Sequence, residues 1–111
     1  MFTKGNFQNI MKQAKNVQEK LEATQEELGK LEIKSQAGGG MIVAMVNGKQ
    51  ELLSLKIDPE ILTDDIEIIE DLIIAAVNQG LSKAGEESQK RMSGISGSLL
   101  GALGDLEIPG T

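Results

Sequence analysis

The side chains here that could do chemistry are carboxylates, lysines and one run of glycines. His, Cys, Tyr and Trp are all missing, which removes the usual general bases, activated nucleophiles and thiolate ligands. Asp58, Glu60, Asp64 and Asp65 could in principle work as an acid–base pair or hold a cation. Their spacing departs from an EF-hand loop and lacks its central glycine. They also stand where a helix is expected to start, and acids there complement the positive helix end. Gly38-Gly39-Gly40 is no phosphate loop, because such a loop opens a helix and ends in Gly-Lys-Ser/Thr, whereas these glycines open a strand. The chain is therefore expected to be no enzyme and to need no metal, cofactor or small-molecule substrate.

What remains is electrostatic. Residues 1–20 carry Lys4, Lys12, Lys15 and Lys20 against Glu19 alone, and Lys83, Lys90 and Arg91 form a second sparse set. The formal charge is −6, yet residues 58–78 hold seven acids and no base, so the rest of the chain carries about +1 (−6 + 7). A solvated helix face accounts for such lysines without any function. They would make a phosphate-binding surface only if the fold joined both sets and a two-fold axis doubled them.

The elements that must position these groups follow from periodicity. Ile10, Ala14, Val17, Leu21, Thr24, Leu28 and Leu31 alternate four and three without a slip, predicting a long amphipathic helix over about 6–34 with Asn6 as N-cap. Thr24 and Ala14 are poor knobs, so a long independent two-stranded coil would be weak. An alternating pattern begins near Leu31. After Gly38–40 comes an apolar run, 41–46, then Asn47-Gly48, the signature of a type I′ hairpin turn, and a returning strand, 51–57. Ile42, Ala44 and Val46 are expected to share one face with Leu53, Leu55 and Ile57, and Met41, Val43 and Met45 the other with Leu52. Both faces being largely apolar, the sheet is expected to need cover on both.

A second helix is expected from Thr63 or Asp64. Its apolar residues wrap nearly all round, and Ala76, Gly80 and Ala84 recur every fourth residue, leaving a groove that another backbone can approach. Residues 93–111, with five glycines, read as a frayed or flexible Gly/Ser-rich tail. The expected fold is thus α+β: a long N-terminal helix, a three-stranded antiparallel sheet and a C-terminal helix (α-β-β-β-α), with residues 1–92 as one domain. Its excess apolar surface predicts a homodimer with Met41, Val43, Met45, Leu52, Leu72, Ala76 and Gly80 at the interface. With aromatics at 2% and hydrophobic residues at 40%, the core must be aliphatic. The absence of cysteine suits a reducing compartment, and no signal-peptide h-region or bilayer-length apolar run is visible. A soluble intracellular protein is expected.

Several strings, in order, resemble the YbaB/EbfC family of small bacterial nucleoid-associated proteins. They are Met11-Lys12-Gln13-Ala14, Val17-Gln18-Glu19-Lys20, Ala37-Gly38-Gly39-Gly40-Met41-Ile42-Val43, Val46-Asn47-Gly48, Ile57-Asp58-Pro59-Glu60, Glu70-Asp71-Leu72-Ile73 and Ala75-Ala76-Val77-Asn78. The resemblance spans about residues 7–92. It implies a homodimer with tweezer-like helical arms, a cytoplasmic, nucleoid-associated location, and binding to double-stranded DNA that compacts or bridges the chromosome and affects expression. It also implies a DNA surface on helix 1 and the late part of the last helix, which here means Lys4, Lys12, Lys15, Lys20, Lys83, Lys90 and Arg91. Lysines without a reading helix imply phosphate contact with little base readout. The competing expectation is a dimeric protein-interaction adaptor that grips a polypeptide with its heptad arms and binds no DNA.

Overall fold

The computed structural model describes residues 4–104, with side chains from 5 to 97. The order is helix α1 (Lys4–Lys30), strands β1 (Ile33–Ala37), β2 (Ile42–Val46) and β3 (Leu52–Ile57), a 3-10 turn (Pro59–Thr63), and helix α2 (Ile66–Gly104). The sheet is antiparallel throughout with β2 in the centre. The expected α-β-β-β-α fold is the one observed.

α2 crosses the sheet over β1 and β2, and the small-residue row explains how it gets so close. Ala76 and Ala84 are fully buried, and a Cβ added to Gly80 would stand 2.7 Å from the Ser35 hydroxyl and 3.3 Å from Val46. The Ser35 hydroxyl donates to the Ala76 carbonyl at 2.7 Å, satisfying the one polar side chain under the helix. The backbone that uses the groove is therefore the chain's own sheet. Ala76 and Gly80 are consumed inside the subunit and are unavailable to a second copy, contrary to expectation. Leu72 also packs inward, against Gly38.

Two turns differ from their predicted form. Gly38, Gly39 and Gly40 all take positive φ, at 64°, 67° and 94°, which glycine adopts at no steric cost. Asn47-Gly48 is not a type I′ turn, because the positive φ falls on Gln50 instead. The Asn47 side chain accepts from the amides of Lys49 and Glu51 at 2.9 and 3.1 Å, and the Gln50 amide donates to the Asn47 carbonyl at 3.1 Å. Gly48 is needed for approach. Its amide donates to the Leu28 carbonyl at 2.7 Å, and a Cβ there would lie 2.7 Å from the Leu28 side chain. That contact pins the C-terminal end of α1, with Leu28 buried, to the β2–β3 turn. The β2–β3 register slips between Met45 and Val46, so Val46 sits opposite Leu52.

Helix boundaries also move. α1 starts at Lys4, which puts Asn6 inside the helix rather than at its cap. α2 runs on through the serines and glycines to Gly104, into the stretch expected to be a tail; residues 105–111 lie outside the described residues.

The molecule is a rod, 73 × 27 × 16 Å, with a radius of gyration of 21.7 Å, against about 13 Å for a compact chain of this size. α1 and α2 meet where Arg91 contacts Glu27. From Ile66 to Arg91 is about 37 Å of helix, and from Glu27 back to Lys4 about 35 Å more. Their sum matches the long dimension, so the two helices run antiparallel along the rod.

Candidate nucleic-acid interface

The antiparallel pairing decides where each basic residue stands. Lys12 and Lys15 are exposed on the outer half of α1 and Lys20 just inside its midpoint, and Lys4 is its first helical residue, with its side chain outside the described set. No acid lies in the first turn of α1, and the unsatisfied amides of that end add positive potential. α1 extends about 35 Å beyond Glu27 while α2 extends about 20 Å beyond Arg91, so α1 outreaches the described end of α2 by roughly 15 Å. Lys4 and Lys12 therefore lie beyond the described end of α2, while Lys15 and Lys20 stand on the stretch of α1 that runs alongside it.

The second basic set is elsewhere. Lys83 folds back over the sheet edge and donates to the Lys34 carbonyl at 3.3 Å. With Lys34, Gln36 and Gln79 it borders a shallow cleft of about 320 Å³. Arg91 is held between two carboxylates, its Nε 2.9 Å from Glu87 and its terminal nitrogen 3.2 Å from Glu27. Lys90 is exposed beside it. Lys12 and Lys83 are separated by about 35 Å along the rod, with Glu22, Glu26, Glu27, Glu86 and Glu87 between them. Within one subunit the fold keeps Lys12 and Lys83 apart, while Lys20 and Lys90 come within about 12 Å of each other along the rod, and Arg91 already has its anionic partners.

Sequence reasoning missed Lys34, because its neighbour Lys83 is 49 residues away and only the sheet–helix packing joins them. It also passed over Phe7 and Met11, which are 58% and 55% exposed on the arm. Their i,i+4 spacing just off the heptad was the available signal. Of the expected interface residues, Met41 packs against the core, while Val43 and Met45 are partly buried on the sheet face away from α2, with Lys34, Gln36, Ser54 and Lys56 opposite them in register. The large apolar side chains left most exposed include Leu52, Leu53 and Ile57 of β3, the flank of the sheet that α2 does not cross, with Leu62, Ile66, Ile68 and Ile74.

The sequence pattern of the YbaB/EbfC DNA-binding family matches residues 4–99. The chain belongs to that family. Among YbaB/EbfC relatives, a nucleoid-associated protein of Chlorobium phaeobacteroides (strain BS1) is 46% identical over 96 residues, covering 86% of each chain. One from Syntrophobacter fumaroxidans (strain DSM 10017 / MPOB) is 45% identical over 103 residues, covering 92% of each. The crystal structure of an uncharacterized Helicobacter pylori protein superposes with a TM-score of 0.61 at 28% identity, covering 72% of this chain and 93% of that one. No helix among the described residues is long and apolar enough to cross a membrane.

Proposed function

We infer that this YbaB/EbfC member is a cytoplasmic, nucleoid-associated protein that binds double-stranded DNA through phosphates, using the lysines of the α1 arm, and that it does so as a homodimer. The observation that carries this reading is the exposed, almost acid-free lysine row toward the N-terminal end of α1. Lysine ammoniums neutralise phosphates and release counterions, which gives affinity without base readout. One arm offers few contacts, and a two-fold pair doubles them and supplies two ends with which to bridge duplexes. The reading involves binding alone, with no catalytic step. The curated relatives' designation as nucleoid-associated proteins supports it.

The dimer is assigned to the β3 flank. Ile66, Ile68 and Ile74 are 67%, 51% and 56% exposed, and this much uncovered apolar surface suits an interface. The proposed interface includes the exposed Leu52 and leaves out the buried Ala76 and Gly80. Electrophoretic shift of a short duplex at low salt, beside light scattering of the free protein, tests both parts. A retarded complex and a two-chain mass are expected. Absence of any complex at low salt overturns the DNA reading, and a single-chain mass at micromolar concentration overturns the dimer.

A further inference from the structure

Phe7 and Met11 are large apolar side chains, more than half exposed, on the part of the arm beyond the described end of α2. They do not belong to the seam that α1 turns toward the rest of the subunit. That seam comprises Ile10, Val17 and Thr24, all partly buried, and the buried Leu28. Phe7 and Met11 are turned roughly a quarter-turn or more away from it. They continue instead into the lysines: Phe7, Met11 and Lys15 follow at i, i+4 and i+8, and a shallow groove on this side is lined by Gln8, Met11, Lys12, Ala14, Lys15 and Gln18. An apolar pair flanked by cations suits a ligand that is apolar inside and anionic outside. Stacked base pairs between phosphate strands have that character.

We propose that Phe7 and Met11 form a wedge that enters between base pairs while Lys12 and Lys15 hold the flanking phosphates, so that the arm bends the duplex it binds. This rests on the DNA-binding reading above and adds a deformation to it. Apolar wedges that partly unstack a base step kink the duplex and need no particular sequence. Easily unstacked pyrimidine–purine steps should be the preferred points of entry.

The chain has no Trp or Tyr, so Phe7→Trp installs a single indole reporter at the wedge. Its emission is read while the anisotropy of a dye-labelled duplex reports binding in the same cuvette. The expected result is quenched emission, shielded from acrylamide, that tracks DNA saturation, with no such change for Lys49→Trp in the exposed β2–β3 turn. In parallel, Phe7→Ala combined with Met11→Ala should abolish the bend, read as end-to-end energy transfer on a duplex of about 20 base pairs. Its affinity should change by less than about tenfold, because a duplex that stays stacked saves the unstacking cost that insertion would have to overcome. A duplex that binds while the indole stays unquenched and the bend persists in the double alanine variant overturns the wedge and leaves the DNA reading standing. An indole already shielded in free protein, in proportion to protein concentration, overturns it in favour of contact between arms. Failure of any duplex to bind removes both.

Discussion

The two ends of the rod carry opposite chemistry. At one end α1 presents Lys12, Lys15 and Lys20 with Phe7 and Met11; at the other, α2 begins among Asp64, Asp65, Glu67, Glu70 and Asp71, with Ile66, Ile68 and Ile74 exposed beside them. The ends lie up to 73 Å apart, many times the Debye length of about 8 Å at physiological ionic strength. A polyanion at the arm therefore scarcely feels the acids at the far end. This is why a net charge of −6 is a poor guide to whether the chain can meet DNA. The difference also divides the labour: the lysine end is left solvated for a charged ligand, and the acidic end keeps apolar surface that suits a second subunit and carries charge that would repel DNA.

Leu28→Ala should have the largest effect, because that side chain is buried at the joint between arm and sheet. A loss of about 2–5 kcal/mol is expected from the cavity, measured by urea denaturation, with the arm uncoupled from the sheet. Next comes Gly48→Ala, whose new methyl would press on the Leu28 side chain and backbone at 2.7–3.0 Å. Overpacking of this kind costs about 1–3 kcal/mol and should lower the melting midpoint without altering the arm's charge. Reversing charge at the exposed end, Lys12→Glu with Lys15→Glu, should do the opposite: duplex affinity falls by about tenfold or more in a gel shift while the melting midpoint stays put. Neutralising the other end, Asp64→Asn with Asp65→Asn, should change affinity by less than about twofold at physiological salt, given the screening distance. Glu27→Gln, which releases Arg91 from one exposed partner, should cost at most about 1 kcal/mol. An acid-end effect as large as the lysine-end effect would dissolve the comparison.

Much of this is legible in residue spacing. The heptad from Ile10 to Leu28, the glycine break at 38–40 and the alternation in the strands each report a local period, and local periods survive into the fold. The Ala76, Gly80 and Ala84 row even announces a close backbone contact, though not whose backbone. What stays hidden depends on contacts far apart in sequence. Gly48 looks like a turn residue until Leu28 is seen against it, and Arg91 looks like a free cation until α1 brings Glu27 to it. The helical stretch after Met92 is obscured by its glycines and serines, whose low intrinsic propensity suggests an end to the helix. The candidate site is half visible: the lysine row on α1 is plain, while its separation from Lys83 requires knowing that α1 and α2 run antiparallel.

The central claim is that the N-terminal half of α1 holds DNA by its phosphates. Its most direct test is the salt dependence of duplex binding by the unaltered chain and by Lys12→Gln with Lys15→Gln. Affinity should fall steeply with salt for the unaltered chain, and the log–log slope of the variant should be shallower by about 0.9 for each phosphate contact removed. Equal slopes for the two proteins would show that these lysines touch no phosphate and would contradict the account.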